Sequence, residues 1–374
     1  MAVAAIIIGA LLASFILTAV YKKMWEKNLE IEVKFKEEAV PEGADSELAE
    51  TITNRKWMFL PFLQVGFQTH KTLEFGEEEN VSVSDLCYKR DVFSVGGYQK
   101  ITRTIPFHCT KRGYFEIDSA DLITRSPLLT KKYHKAEKQN TYIYVYPKLI
   151  KDALMDIVFQ KIMGEMQAKK NIYEDPFEFR GIREYQSTDP MSKINWKASA
   201  RSDEWMVNLY GSTNAQEIIL LLDLEDETAW KYDDIHEQQI SLAATLTARF
   251  TEAGIPVSLI TNGKDIKLDS ALRLEAGTGK QQLLNVNRGL ARIDLLKEPV
   301  SMEKLLKEER THMTHIQKTY VMISKNQRSG VYEMFQELLC QGAAGFWIST
   351  RYDDMDWKLP KYGNIPVIDW EVRR

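Results

Sequence analysis

Residues 177–201 read FEFRGIREYQSTDPMSKINWKASAR and concentrate side chains equipped for ionic chemistry. Three arginines (Arg180, Arg183, Arg201) and two lysines (Lys193, Lys197) meet three carboxylates (Glu178, Glu184, Asp189) and the rings of Tyr185 and Trp196 within 25 residues. Charged and aromatic positions interleave without the period of an amphipathic helix or a half-buried strand. Ions that leave water need partners to offset the loss. A guanidinium suits that role, because its planar fork holds a carboxylate through two bonds while its face stacks on a ring. The run is therefore expected to form one network of Arg183, Tyr185, Asp189, Trp196 and Arg201 between the domains that flank it. In that reading Trp196 packs inward, and Glu184, Asp189 and Asp223 are the candidate carboxylate partners.

A second group of acids follows the apolar run E-I-I-L-L-L: Asp223, Glu225, Asp226 and Glu227. Carboxylate oxygens are hard ligands that suit magnesium or calcium, which makes Asp223, Glu225 and Glu227 weak candidates for a metal site. Other segments with catalytic overtones fail on spacing. Ala276-Gly277-Thr278-Gly279-Lys280-Gln281 has Leu274 where a phosphate-binding loop has its first glycine, and Gln281 replaces the magnesium-binding Ser or Thr. It reads as a turn opening a helix. His312 and His315 lie beside Glu308 and Glu309, as on a charged, solvated helix face. Ser199 lacks the flanking glycines of a nucleophile elbow. No catalytic constellation emerges, and the chain does not read as an enzyme.

These groups must be positioned by a chain of 374 residues, enough for two or three domains. A net charge of −4 lacks the basic excess of a nucleic-acid-binding protein, so no nucleic-acid partner is expected. Cys87, Cys109 and Cys340 have no metal-binding or C-x-x-C spacing and read as free thiols in a reducing compartment. Residues 2–21 carry no charge. A helix of about 20 residues spans roughly 30 Å, the thickness of the hydrocarbon core. A cleaved signal peptide is the alternative. Against it, no basic residue precedes the run, the run is long, and no convincing cleavage site closes it. Residues 1–22 are accordingly read as a single-pass transmembrane helix, in contact with the lipid bilayer through residues 2–21. Lys22, Lys23 and Lys27 follow, which by the positive-inside rule places the soluble domains in the cytoplasm. Tyr21 and Trp25 suit the membrane interface.

Residues 30–148 alternate with period two in L-E-I-E-V-K-F-K and in several later runs, with turn residues between them. That spacing predicts a β-sandwich-like domain. The basic stretch K-K-Y-H-K-A-E-K (131–138) reads as a solvated loop, with a lipid-headgroup patch as the alternative. Residues 149–214 carry the ionic run and its connections. From 215 to 374 the pattern becomes α/β: Q-E-I-I-L-L-L-D, I-P-V-S-L-I-T, T-Y-V-M-I-S, A-G-F-W-I-S-T and I-P-V-I-D-W alternate with helical segments. Such alternation implies a mostly parallel sheet covered on both faces. The fold class is thus multidomain α+β.

The ionic run resembles the signature of the bacterial domain-of-unknown-function 58 family. Phe179, Gly181, Arg183, Glu184, Tyr185, Asp189, Ile194, Trp196, Lys197, Ser199, Ala200 and Arg201 stand at the matching positions, while Thr188 and Lys193 depart from it. The segment K-R-G-Y-F-E-I-D and the V-Y-P ending at Pro147 are also similar to the family, whereas Ser126 stands in place of its usual Asp. The resemblance implies a von Willebrand factor A-like domain after the signature. It also implies a MoxR-type AAA+ ATPase as partner, and family members often carry two transmembrane helices. The full metal-ion-dependent adhesion site of such domains begins D-x-S-x-S. Here both serines are replaced by Glu225 and Glu227, and Lys325-Asn326 stands where a further acid is expected. A lysine repels the ion, so no cofactor is expected, and Asp223 is left to cap the next helix or pair with a signature arginine. Two functional readings follow. The first is a membrane-anchored, non-catalytic interaction or scaffold protein with a degenerate von Willebrand factor A-like domain. The second is a metal-assisted hydrolase using the acids of 223–227.

Overall fold

In a computed structural model of the protein, the uncharged run forms helix α1 (Ala2–Met24). Its segment Ile6–Met24, with mean hydropathy 1.7, is long and apolar enough to cross a membrane. The structure describes the chain except residues 1, 77–80, 84–85, 127, 130, 173–178, 188, 211–216, 229, 312–317, 341–342, 358, 360–364 and 374. Glu178, His312 and His315 therefore lie outside the described residues. Two compact units are present, Met1–Lys148 and Leu149–Arg374.

In the first unit, α1 is followed by β1 (Leu29–Phe35), β2 (Ala39–Pro41), β3 (Asp45–Asn54), β4 (Leu60–His70), β5 (Leu73–Glu74), β6 (Val81–Val83), β7 (Leu86–Val95), β8 (Lys100–Cys109), β9 (Gly113–Arg125) and β10 (Lys132–Tyr146). They form two sheets, ordered β1-β3-β8-β5 and β2-β10-β9-β4-β7-β6. The period-two sequence explains the packing: Leu29, Ile31, Val33 and Phe35 of β1 are buried while the charged residues between them are exposed. Ile31, Leu48 and Ile105 of one sheet share a core with Val65, Leu122 and Ile143 of the other. The basic stretch 131–138 is not a loop, because it runs into β10 and pairs with β9.

Two features of this unit depart from the simple pattern. The same alternation that buries Leu48 and Ile52 also turns Glu50 inward, and Lys89 and Asp91 of β7 are likewise fully buried. Arg103 Nη1 donates to Asp91 Oδ1 at 2.9 Å. Burial, with the neighbouring Asp91, pushes the Glu50 carboxyl up to about 8. The second departure is at the end of α1. Tyr21 and Trp25, one turn apart on one helix face, are buried in the sandwich core rather than left to a membrane interface. The Tyr21 hydroxyl lies 2.8 Å from Thr124 Oγ1, and Trp25 stacks on Tyr133.

The second unit contains α2 (Ala153–Ile172), β11 (Phe179–Glu184), α3 (Trp196–Ser202), β12 (Met206–Tyr210), β13 (Glu217–Asp223), α4 (Asp233–Glu252), β14 (Val257–Asp265), β15 (Ala271–Gly277), α5 (Gly279–Ala291), β16 (Ile293–Asp294), α6 (Met302–Thr311), β17 (Lys318–Ser324), α7 (Ser329–Leu339), β18 (Ala344–Arg351) and β19 (Val367–Glu371). The main sheet is ordered β15-β14-β13-β17-β18-β19, with β16 beside β14. It is parallel from β14 to β19, and β15 is antiparallel. Residues Ile218–Asp223 of β13 are all buried, as a strand covered on both faces requires. Ile218, Leu220 and Leu222 pack with α4 and α5, while Ile219 and Leu221 pack with α6 and α7. Gly279, at φ +70°, makes the turn that opens α5. The chain leaves β13 towards β14 and later returns to β17 on its other side. That reversal falls at the C-terminal ends of β13 and β17, where open α/β sheets place their binding residues.

Candidate functional site at the sheet reversal

Asp223 closes β13 at this reversal and is 1% exposed. Its Oδ2 accepts from Ser324 Oγ at 2.7 Å, and its Oδ1 accepts from Asn262 Nδ2 at 2.7 Å and from the Glu225 backbone N–H at 3.0 Å. The three strands around the reversal thus each supply one polar group, and among the described residues no signature arginine is involved. Burial pushes the Asp223 carboxyl up, against these hydrogen bonds that favour its charged form.

The remaining acids of the loop are held by groups from α4, α6 and the segment after β17. Glu225 Oε1 accepts from Arg328 Nη1 at 2.8 Å, and its Oε2 accepts from Met302 N at 3.1 Å at the start of α6. The other arm of Arg328 donates to the Asp226 carbonyl at 2.9 Å. Asp226 Oδ1 lies 2.8 Å from Lys325 Nζ and 3.1 Å from His236 Nε2. Burial raises the Asp226 carboxyl, but hydrogen bonds from His236 and Lys325 outweigh it, and the group titrates below the usual range. Glu227 Oε1 accepts from Gln327 N at 2.6 Å. The Lys325 ammonium also sits 4.6 Å from the centre of the Tyr232 ring. From Asp226 a line of contacts runs through His236 and Gln239 to Thr350 of β18, each at 2.8–3.1 Å. Among the described residues, no group of three or more His, Cys, Asp or Glu is arranged to hold a metal ion.

The ionic run builds a separate, smaller module. β11 and β12 form an antiparallel ribbon, with Gly181 opposite Leu209 and Arg183 opposite Val207. Arg183 holds Asp189 through two bonds of 2.6 Å, and the Gln186 N–H adds a third to Asp189 Oδ2. The Arg183 guanidinium keeps the Asp189 carboxyl below its usual range. Tyr185 meets Trp205 edge to face at 5.5 Å. Asn195 caps α3 by accepting from Ala198 N, and Ser199 Oγ bridges the Asn195 carbonyl and Met206 N, both at 2.9 Å. The expected single network forms only in part. Trp196 is 66% exposed, not packed inward, and Glu184, Lys197 and Arg201 lie exposed. The physical reason is size. A two-turn helix on a two-stranded ribbon covers Ile194 and Val207 but has no surface left to enclose an indole.

Residues 181–374, which take in both this module and the acidic loop, match the family model described as “Protein of unknown function DUF58”. The chain belongs to the DUF58 family. No curated protein matches it. Among solved structures, the DUF58 chain has 14% identity to the CARDB domain of a Pyrococcus furiosus protein, solved in complex with di-metal ions. That likeness covers 30% of this chain and 91% of the other, with a TM-score of 0.20. An aerotolerance-related membrane protein from Bacteroides fragilis has 14% identity over 40% of this chain and 74% of its own, with a TM-score of 0.29. At TM-scores this low, neither likeness carries an argument about fold or activity. Within the DUF58 residues, sequence reasoning named Asp223, Glu225, Glu227 and Lys325 but not Arg328, His236, Asn262 or Ser324. The tip positions Asn262 and Ser324 were findable, since each lies at or just after a predicted strand. Nothing in the local sequence marks Arg328 or His236.

Proposed function

We propose that this protein is a membrane-anchored, non-catalytic interaction or scaffold protein. In this reading α1 is its single membrane span, its two soluble units face the cytoplasm, and the second is a degenerate von Willebrand factor A-like domain. Support for the fold assignment comes from the strand order β15-β14-β13-β17-β18-β19 with its antiparallel β15, and from the acid closing β13. One observation carries the functional reading: the acids of the reversal loop are satisfied from within the protein. Lys325 and Arg328 supply the positive charge that an ion would otherwise bring, and Asp223 spends its oxygens on Ser324 and Asn262. The donor set therefore does not fit magnesium or calcium, since a cation entering beside Lys325 meets its repulsion at 2.8 Å from Asp226. A loop pinned at every carboxylate is a rigid surface, suited to presenting side chains to a protein partner. A MoxR-type AAA+ ATPase is the partner that the family resemblance suggests.

Calorimetric titration of the full chain in detergent with magnesium or calcium chloride, beside co-precipitation with a MoxR-type ATPase, tests this. We expect no stoichiometric metal binding, and capture of the ATPase. Tight stoichiometric binding that vanishes in Asp223→Ala would overturn the reading in favour of a metal-assisted hydrolase.

A further inference from the structure

The way α1 enters the first unit leaves no spacer between a bilayer and the sandwich. Tyr21 is already inside the sandwich core. The stretch from Ala2 to Val20, about 19 residues at 1.5 Å each, rises roughly 28 Å, and a hydrocarbon core needs roughly 30 Å. The apolar run thus ends directly where the sandwich core begins. Given the membrane-anchoring reading proposed above, on which this inference rests, the sandwich edge around the helix exit must lie in the headgroup layer.

The strand register identifies that edge. Leu29 pairs with Asn54, and the Arg55 N–H donates to the Asn28 carbonyl at 2.8 Å, so the segment leading into β4 starts beside the helix exit. The Tyr98 N–H donates to the Lys56 carbonyl, which brings the β7–β8 turn alongside. Gly97 is packed so closely there that an added Cβ would meet the Trp57 carbonyl at 2.3 Å. Trp57, Phe59, Phe62 and Tyr98 all lie at this edge, and they are 65%, 53%, 46% and 75% exposed. Four outward aromatics are costly to leave in water, and tryptophan and tyrosine are the residues that collect at membrane interfaces. The edge is also basic. Lys22 and Lys23 are exposed at the last turn of α1. The Lys56 ammonium is buried without a hydrogen-bond partner among the described residues, and burial, with Lys135 nearby, lowers it to about 8. Arg55 is paired with Glu30 at 2.9 Å, but among the described residues no carboxylate pairs with Lys22, Lys23 or Lys56.

We propose that this edge is a lipid-contacting surface, with Trp57, Phe59, Phe62 and Tyr98 seated among anionic phospholipid headgroups around the exit of α1. The occupant is the bilayer that α1 itself crosses, so no separate recruitment is needed, and the lysines favour anionic lipid.

Variants of the full chain that each gain one cysteine and carry Cys340→Ser, so that only the buried Cys87 and Cys109 remain beside the new thiol, test this in lipid nanodiscs of phosphatidylglycerol and phosphatidylcholine. A fluorophore is placed by Ile8→Cys, Trp57→Cys, Tyr98→Cys or Lys111→Cys, the last lying in the β8–β9 turn. That turn is roughly 40 Å from the helix exit by strand rise along β9. Lipids brominated near the headgroup end of their acyl chains should quench the labels at 57 and 98 and leave the label at 111 bright, while deeper bromines quench the label at 8. Quenching at 8 with labels at 57 and 98 as bright as at 111 refutes the surface and leaves the anchor intact. No quenching even at 8 refutes the anchor itself. A label at 57 shielded from both brominated lipid and aqueous iodide places a protein partner on the edge and also overturns the proposal.

Discussion

Lys325→Met tests whether the reversal loop is held by its internal cation. The ammonium removed lies 2.8 Å from Asp226, and the two side chains are 7% and 14% exposed. Asp226 would keep His236 but lose its lysine, leaving a carboxylate in a site that water barely reaches. Breaking a buried pair from one side costs roughly 3–5 kcal/mol. The remaining His236 contact and the slight exposure of Asp226 put the expected loss at the low end, about 3 kcal/mol. For a unit of this size that corresponds to a fall in melting temperature of roughly 6–12 °C. Adding Asp226→Asn removes the stranded charge, so the double variant should recover about 2 kcal/mol of the loss. Hydrogen exchange of the full chain, read by mass spectrometry on peptides from β13 and β17, reports the opening free energy of this unit alone. A Lys325→Met protein whose β13 and β17 peptides exchange at the parental rate would refute the reasoning. So would a double variant less stable than the two single losses combined.

The buried Glu50 gives the first unit a pH dependence. Its carboxyl is raised from an ordinary 4.5 to about 8, so the folded state keeps a proton that the unfolded chain releases between those values. The associated stability is fully present below about pH 4.5 and is lost as the pH rises towards about 8. Glu50→Gln should flatten that fall and leave the sandwich more stable than the parent at alkaline pH, measured by exchange of β3 and β7 peptides across pH. An unchanged pH profile would assign the dependence to another group. In the signature module, Ser199→Ala removes both bonds of the bridging hydroxyl. It should cost about 1–2 kcal/mol, seen as faster exchange in Met206–Tyr210. Parental protection there would mean that the ribbon does not depend on α3.

What the sequence revealed and what it hid divide along physical lines. The α/β alternation, the continuous apolar run of β13 and the outward glutamates of β1 were legible, because burial on one or two faces writes itself into local periodicity. Arg183 and Asp189 were grouped by their closeness in sequence, but which of Glu184, Asp189 and Asp223 the arginine holds was left open until the structure paired it with Asp189. Trp196 was misread, since its neighbours promise a core that a seven-residue helix cannot build. Tyr21 and Trp25 were misread for the opposite reason. An aromatic residue beside an apolar span looks the same in sequence whether it meets lipid or protein, and only Thr124 and Tyr133, more than a hundred residues later, decide which. The same holds for Arg328, whose partner Glu225 lies 103 positions away.

Where α1 is the membrane span proposed above, the shared burial of Tyr21 and Trp25 also couples the anchor to folding of the sandwich. Tyr21 and Trp25 complete the interior of the sandwich, so that interior cannot close until the end of α1 has folded against it. For the same reason, a fragment cut after the helix, at residue 30, would begin with a hole in its core. The natural soluble unit starts near Tyr21, inside what sequence alone assigns to the membrane.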